Sequence, residues 1–137
     1  TIIRTADSAG IRELILSPQT ADPYNPKVVR STMGAIFRMN FIQTKDFAST
    51  LKEMQKHHYQ VLATSLEDAK SIYEVSYQKK VLVIGNEANG VSKEVQDLAD
   101  QKIKIPMLGK TESLNASVAA GIVVYEAVRQ KLAKNKQ

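Results

Sequence analysis

Short apolar runs alternate along the chain with segments in which apolar residues recur every three or four positions. The runs ELIL at 13–16, QVLA at 60–63 and KVLVI at 80–84 each end at polar or turn-forming residues, as buried strands do. Residues 66–78 are mixed in pattern and give no assignment. The predicted strands are 13–16, 40–42, 60–63, 80–84 and 103–105. Strands of this length between helices are typical of an α/β fold with a mainly parallel sheet flanked by helices.

The segments between the strands carry helix signals. One amphipathic segment places Phe47, Leu51 and Met54 on its inward face. Ser92 is placed to cap a helix, and Gly10 is a natural residue to follow the end of one. The predicted helices are the segment before Gly10, 27–33, 45–58, 92–98 and 115–134.

The stretch 103–126 combines a strand, a polar loop and a long helix. The strand ends before Pro106, and Asn115 is placed to cap the helix. Such a helix directs free backbone N–H groups and its positive dipole end at the loop, so we expect a ligand there. Small residues on its first turns allow another backbone segment to approach closely. These residues are Ala116, Ala119, Ala120 and Gly121.

Composition narrows the class of protein. With 137 residues, 43% of them apolar, the chain is long enough for one domain with its own core. It contains no cysteine, which excludes disulfides, cysteine-bound zinc and thiolate catalysis. No run of eighteen apolar residues and no signal peptide is present, so we expect a cytoplasmic protein that does not span a membrane. The net charge of +5 favours a polyanionic partner.

Three loops follow predicted strands, at 64–65, 85–90 and 107–115. Ligands of parallel sheets bind at the carboxyl ends of the strands, where these loops begin. The chain contains no dinucleotide-binding glycine motif after its first strand, no P-loop and no H-E-x-x-H metal motif. What remains is a Gly-Asn-Glu turn, an Ile-Pro-Met strand end, a Ser-Leu-Asn helix start and the separate Arg4.

Four segments follow the order of known family motifs. They are IIRTADSAG at 2–10, KVVRSTMGAIFR at 27–38, VLVIGNEANGVSKEV at 81–95 and IPMLGKTESLNASVAAGIVVYEA at 105–127. Together they resemble the three motifs and the intervening segment of the SpoU (TrmH-like) branch of the SPOUT methyltransferases. The resemblance covers nearly the whole chain. It implies transfer of methyl from S-adenosylmethionine to ribose 2′-hydroxyls of RNA.

The resemblance also implies a fold and an assembly. The implied fold is an α/β domain with a deep trefoil knot near the carboxyl terminus, an exception to the rule that chains do not thread. The implied assembly is a homodimer with the site at the subunit interface, and the last helix is a candidate interface element. Residues 1–137 would be one SpoU-type methyltransferase domain that lacks the start of the first motif and any separate RNA-recognition domain.

The resemblance assigns cofactor-binding residues in the loops. The family holds S-adenosylmethionine largely through backbone groups of the knot, and no metal is implied. Carried onto this sequence, the cofactor-binding residues are Thr64, Gly85, Glu87, Ile105, Met107, Ser113, Leu114 and Asn115.

Four of the matched residues are candidates for catalysis. The resemblance assigns Arg4 to activation of the ribose hydroxyl. Because the pKa of arginine is roughly 12 or more, we expect Arg4 to orient the hydroxyl and stabilise charge rather than to act as a base. Asn115 and Ser113 could hold the ribose or the loop, and Glu87 could order Arg4 or its own turn. The structural alternatives are a surface arginine, a helix cap and a solvated turn acid.

Arg30 and Arg38 are candidates for RNA binding. Either residue could contact a phosphate backbone, or could be an ordinary ion-pair partner within the protein. The sequence leaves three hypotheses for function: an rRNA ribose 2′-O-methyltransferase, a tRNA 2′-O-methyltransferase, or a non-catalytic RNA-binding or assembly module with the same fold.

Overall fold

The computed structural model describes residues 1–16, 34–85, 90–111 and 114–135. Its helices are α1 (Ile2–Ser8), α2 (Phe47–Lys56), α3 (Lys93–Leu98) and α4 (Ala116–Asn135). Its strands are β1 (Glu13–Leu16), β2 (Asn40–Gln43), β3 (Gln60–Thr64), β4 (Lys70–Ser71), β5 (Lys80–Val83) and β6 (Gln101–Lys104). Two 3₁₀ turns cover Ala35–Arg38 and Ile72–Glu74.

A four-stranded sheet forms the centre of the molecule, in the order β4-β6-β3-β5. Every pairing in it is parallel: Val61 of β3 lies opposite Val81 of β5, and Ala63 lies opposite Lys102 of β6. A second sheet pairs β1 with β2, again in parallel. The predicted α/β architecture with mainly parallel strands and flanking helices is confirmed, and the strands divide between two sheets.

The two faces of β3 bury two hydrophobic clusters, because successive side chains of a strand point to opposite faces. Ala63 packs with Leu51 of α2 and Val95 of α3. Leu62 packs on the other face with Val123 of α4. All five side chains are buried. The main sheet is therefore covered by α2 and α3 on one side and by α4 on the other.

Helix α1 ends as its sequence predicts. The N–H of Gly10 donates to the carbonyl of Asp7 at 3.0 Å, and the N–H of Ile11 donates to the carbonyl of Ala6 at 3.0 Å. Gly10 has a φ of 84°, a conformation that glycine adopts without steric cost. This pair of bonds is a Schellman motif, in which glycine follows the helix.

Helix α2 is shorter than the predicted 45–58. The carboxylate of Asp46 accepts a hydrogen bond from the N–H of Ser49 at 3.1 Å, so Asp46 is the N-cap and the helix begins at the next residue. Of the three residues predicted to face inward, Leu51 is fully buried, and Phe47 and Met54 are half-buried. The inward face is confirmed.

The largest differences from the predicted elements lie in polar segments. Strand β6 begins two residues before the predicted 103–105, because Gln101 pairs with Leu62 of β3 although its polar side chain gives no strand signal. The unassigned 66–78 contains β4 and a 3₁₀ turn that buries Ile72 completely. The predicted helix 27–33 lies outside the described residues, and the trefoil knot stays a prediction.

No helix in the described ranges is both long and apolar enough to cross a bilayer.

Candidate active site

The carboxyl ends of β3, β5 and β6 lie side by side at one edge of the main sheet. The hydroxyl of Thr64, at the end of β3, donates to the carbonyl of Val83 in β5 at 3.5 Å. The N–H of Ser65 donates to the carbonyl of Ile103 in β6 at 2.9 Å. These two bonds hold the end of β3 between its neighbours. The predicted ligand loops therefore begin within one or two strand spacings of each other.

Gly85, which follows β5, lies against the backbone that returns to the sheet. A methyl group built on its Cα would overlap the carbonyl carbon of Gly90 and the nitrogen of Val91, and would lie 2.7 Å from the Cα of Gly90. Val91 is buried beside Val83 in the cluster under α2 and α3. The position therefore admits only glycine, because two backbone segments are in contact there.

Apolar side chains that are partly or fully exposed lie in the segments that follow β3 and β6. Ile105 and Met107, which follow β6, are half-buried. Leu66 is 71% exposed, Leu108 is 101% exposed and Leu114 is 37% exposed. Apolar surface beside polar strand ends suits a ligand with a flat apolar ring and hydrogen-bonding edges.

Asn115 caps α4, as the sequence predicts. Its side-chain carbonyl accepts a hydrogen bond from the N–H of Val118 at 2.8 Å, and its backbone carbonyl accepts one from Ala119 at 2.9 Å. The cap fixes the first turn of α4. The side-chain NH₂ group of Asn115 has no role in the cap.

Loss of this cap has a predictable effect on stability. We expect Asn115→Ala to lower the free energy of unfolding by about 1 kcal/mol, because the N–H of Val118 loses its partner. Asn115→Asp retains the acceptor oxygen and serves as the control. Urea denaturation followed by circular dichroism measures both variants, and equal stability of Asn115→Ala and the unaltered protein would contradict the role of the cap.

Arg4 lies on a polar face of α1. Thr1, Arg4, Thr5 and Ser8, which recur at helical spacing, line an open depression on the surface. The side chain of Arg4 is exposed. Among the described residues no hydrogen bond or ion pair holds its guanidinium. Arg4 is therefore available to a ligand that enters the depression.

Helix α1 docks on α4 beside this face. A Cβ built on Gly121 of α4 would lie 3.9 Å from the Cγ2 methyl of Thr5, so the two helices are close. The hydroxyl of Ser8 donates to the carbonyl of Thr5 at 2.7 Å and lies 2.8 Å from the hydroxyl of Tyr125. Tyr125 then donates to Ser8, since the proton of Ser8 is already committed. These contacts hold α1 on the long helix through Thr5 and Ser8, and Arg4 stays exposed beside them.

Arg38 is an ion-pair partner within the protein, which was one of the two interpretations of its sequence. Its guanidinium donates to both carboxylate oxygens of Asp7, at 3.1, 3.2 and 2.8 Å. Arg12 donates to the same carboxylate at 2.8 Å. Hydrogen bonds from Arg38, and the charges of both arginines, hold the pKa of Asp7 below its usual value. The side chain of Arg38 is still 56% exposed.

Sequence reasoning missed Asp7 and Tyr125. Asp7 follows Arg4 by three residues, which is a local signal for proximity on a helix. Its contact with Arg38 crosses 31 positions of the chain, and the contact between Ser8 and Tyr125 crosses 117. Neither long-range contact has a signal in the pattern of the sequence.

A buried charge lies near the middle of α4, one residue after Tyr125. Glu126 is 5% exposed and accepts from Arg129 at 2.7 and 3.0 Å and from Gln130 at 2.9 Å. The hydrogen bonds from Arg129 lower the pKa of Glu126. Gln130 also donates to the carbonyl of Val75 at 2.8 Å. This network attaches α4 to the segment before β5. Burial of the Tyr77 hydroxyl raises its pKa.

The structure brings together some of the predicted site residues and not others. It places Thr64, Gly85 and Ile105 at adjacent strand ends, and Met107, Leu114 and Asn115 in the segment that connects β6 to α4. Arg4 lies on α1, on the face that lines the open depression. Glu87, Ser113 and Arg30 lie outside the described residues. Within the described ranges no cluster of histidine and acidic side chains could hold a metal ion.

Comparison with known families gives a match over most of the chain. The sequence model of the SpoU rRNA Methylase family matches residues 1–125.

Curated relatives carry names of RNA methyltransferases. The tRNA (guanosine(18)-2′-O)-methyltransferase of Aquifex aeolicus is 40% identical over 133 residues, which are 95% of this chain and 62% of that protein. The 23S rRNA (guanosine(2553)-2′-O)-methyltransferase RlmP of Bacillus subtilis is 34% identical, over 91% of this chain and 50% of that protein. The chain spans about half the length of the first curated relatives it matches, between 49% and 53%.

A solved structure shares the fold. The SpoU methyltransferase AviRb of Streptomyces viridochromogenes, in complex with the cofactor AdoMet, superposes with a TM-score of 0.87 at 33% identity. The superposition covers 96% of this chain and 55% of that one.

Proposed function

This chain belongs to the SpoU rRNA methylase family, and from that premise we propose that it is an RNA ribose 2′-O-methyltransferase that uses S-adenosylmethionine. The observation that carries the proposal is the juxtaposition of the carboxyl ends of β3, β5 and β6, because β5 and β6 lead into two of the matched motifs. Thr64 and Ser65 hydrogen-bond to β5 and β6 there, so one ligand can reach the loops of all three strands.

The residues at this edge fit the proposed cofactor. S-adenosylmethionine has a flat apolar ring with hydrogen-bonding edges and supplies an electrophilic methyl group on a cationic sulfur. The half-buried Ile105 and Met107 and the exposed Leu114 offer the apolar walls, and backbone near Thr64 and Gly85 offers donors and acceptors. Ser113 and Glu87 complete the proposed set.

Arg4 is proposed to act on the ribose. The 2′-hydroxyl must lose its proton as it gains the methyl group, so negative charge develops on the oxygen. A guanidinium that keeps its proton at neutral pH stabilises this charge and orients the oxygen through hydrogen bonds. Glu87 is proposed to order Arg4 or the turn that follows β5, and Ser113 and Asn115 to hold the ribose or the loop.

Asn115 has two proposed roles that can be separated. Asn115→Asp retains the helix cap and removes the side-chain NH₂ donor. If that donor contacts the ribose, this variant loses methyl transfer while its stability is unchanged.

RNA is the proposed substrate class, with rRNA as the first candidate. A net charge of +5 supports a polyanionic substrate. The family description and the Bacillus relative name rRNA. The second candidate is tRNA, because the Aquifex relative named for tRNA is 40% identical to this chain. Arg30 and the exposed part of Arg38 are proposed to contact the RNA backbone.

We propose that the protein acts as a homodimer through α4. Val118, Tyr125 and Leu132 are 47%, 46% and 58% exposed and recur every seven residues, so they form one apolar stripe on the helix. A second copy of the chain would remove this stripe from water.

A charge in the stripe provides a test of the dimer. We expect Val118→Asp to raise the dissociation constant of the dimer about 100-fold, because burying an unpaired carboxylate at the interface costs roughly 3 kcal/mol of binding free energy. Lys131→Asp introduces the same group at an exposed position off the stripe and is the control. Sedimentation equilibrium measures both, and equal dimerisation of the two variants would contradict the proposed interface.

Transfer of a labelled methyl group to RNA tests the function. The protein is incubated with S-adenosylmethionine and with rRNA or tRNA, and the RNA is then hydrolysed by alkali. Methylated 2′-oxygens cannot attack the adjacent phosphate, so the label is expected in alkali-resistant dinucleotides. Label from tRNA alone would favour the second candidate. Label in mononucleotides, or binding of RNA with no transfer, would contradict ribose methylation and favour base methylation or a binding module.

A further inference from the structure

The carboxylate of Asp7 lies at the junction of three elements. It belongs to α1 and its side chain is only 14% exposed. Arg12, just before β1, donates to Oδ1, and Arg38, from the 3₁₀ turn before β2, donates to both oxygens. A backbone hydrogen bond also joins the segments that carry the two arginines. The N–H of Asn40, two residues after Arg38, donates to the carbonyl of Arg12 at 2.8 Å. Asp7 therefore attaches α1 to the smaller sheet.

Arg4 and Asp7 are three residues apart on α1, which is a spacing at which arginine and aspartate pair across a helix face. Asp7 is also the only acidic residue of α1. Nevertheless, in the described part of the chain Arg4 has no ion-pair partner. The carboxylate oxygens of Asp7, to which Arg4 would donate, already accept hydrogen bonds from Arg12 and Arg38.

We propose that Arg12 and Arg38 act as positioning residues that occupy Asp7 and so prevent it from binding Arg4. The guanidinium of Arg4 is thereby left free on the open face that it shares with Thr5 and Ser8. This inference rests on the proposed function for the role of Arg4 in methyl transfer. The competition between three arginines for one carboxylate is a property of the chain that is measurable without substrate.

Removal of one competitor tests the inference. In Arg38→Gln, one oxygen of Asp7 becomes available, and we expect Arg4 to pair with it. The side-chain Nε–Hε resonance of Arg4, assigned by its loss in Arg4→Lys, should shift and exchange more slowly with water. In the double variant Asp7→Asn with Arg38→Gln, the resonance should return to its original position because no carboxylate remains.

Methyl transfer gives the second measurement. We expect Arg38→Gln to lower kcat about tenfold and to leave KM for S-adenosylmethionine unchanged. A tenfold decrease in kcat corresponds to a loss of about 1.4 kcal/mol of transition-state stabilisation. At saturating RNA, where loss of the proposed contact between Arg38 and the RNA backbone does not limit the rate, the double variant should recover to within about threefold of the unaltered protein. Its midpoint of thermal unfolding should be no higher than that of Arg38→Gln. Recovery of rate without recovery of stability separates the proposed competition from a merely structural role.

Arg129→Gln is the matched control, because it removes an arginine from the carboxylate of Glu126 three residues away and leaves Asp7 intact. It should leave the Arg4 resonance unchanged. An unaltered Arg4 resonance in Arg38→Gln, or a double variant no more active than Arg38→Gln, would overturn the inference. If the unaltered protein transfers no methyl group, the proposed function fails, and the resonance measurement still decides the competition.

Discussion

Arg4→Ala is expected to transfer methyl groups about a hundred- to a thousandfold more slowly than the unaltered protein, the usual effect of removing one donor that stabilises a developing oxyanion. Its affinity for S-adenosylmethionine should be unchanged, because Arg4 lies on α1 and the proposed cofactor residues lie at the strand ends and in the segments that follow β5 and β6. Its stability should also be unchanged, since the side chain is exposed. Single-turnover kinetics with labelled cofactor and calorimetry measure the two quantities separately.

Two variants serve as controls for Arg4→Ala. Arg4→Lys keeps the positive charge but loses the planar fork of donors, so we expect an intermediate rate. Lys52→Ala removes an exposed cation from α2 and should have no effect. Transfer by Arg4→Ala at the rate of the unaltered protein would remove Arg4 from the mechanism.

Gly85→Ala is expected to have the largest effect on the fold of the site. The added methyl group would overlap the backbone at Gly90 and Val91, and backbone cannot move aside as a flexible side chain can. We expect a loss of about 3 kcal/mol in the free energy of unfolding, at the upper end of the usual range for overpacking. The backbone at Gly85 must move away from Gly90 and Val91, so we also expect at least about tenfold weaker binding of S-adenosylmethionine.

Gly109→Ala is the matched control for this substitution. Gly109 lies in the loop after β6, and a Cβ built on it has no atom within 4 Å. Stability should therefore be unchanged. If Gly85→Ala were as stable as Gly109→Ala, the close approach of the two backbone segments would be contradicted.

Features that depend on neighbouring residues could be predicted from the sequence. The caps at Ser92 and Asn115 and the glycine after α1 are local, because a hydrogen bond between residues three positions apart occurs at each of them. The parallel α/β architecture could be predicted as well, because short apolar runs alternate with helical segments along the chain. Strand β6 was placed two residues late, since Gln101 and Lys102 pair with β3 through backbone groups that side-chain character does not report.

Features that depend on tertiary contacts could not be predicted in this way. The pair between Asp7 and Arg38 follows from the packing of α1 against a 3₁₀ turn 31 residues later. Similarly, Gly85 was assigned to the cofactor through the family resemblance, and the overlap with Gly90 became visible only from the fold. The sequence left the role of Arg38 open between RNA and an internal ion pair, and the fold supplies the internal partner.

The central claim is that the edge formed by the carboxyl ends of β3, β5 and β6 binds the methyl donor. Backbone amide resonances recorded during titration with S-adenosylhomocysteine, the product of the proposed reaction, test it most directly. The account predicts shifts at Ser65, Gly85 and Met107 and none at Gln60 and Lys80, which lie at the opposite ends of the strands. Shifts confined to Gln60 and Lys80, or no shifts at saturating ligand, would contradict it.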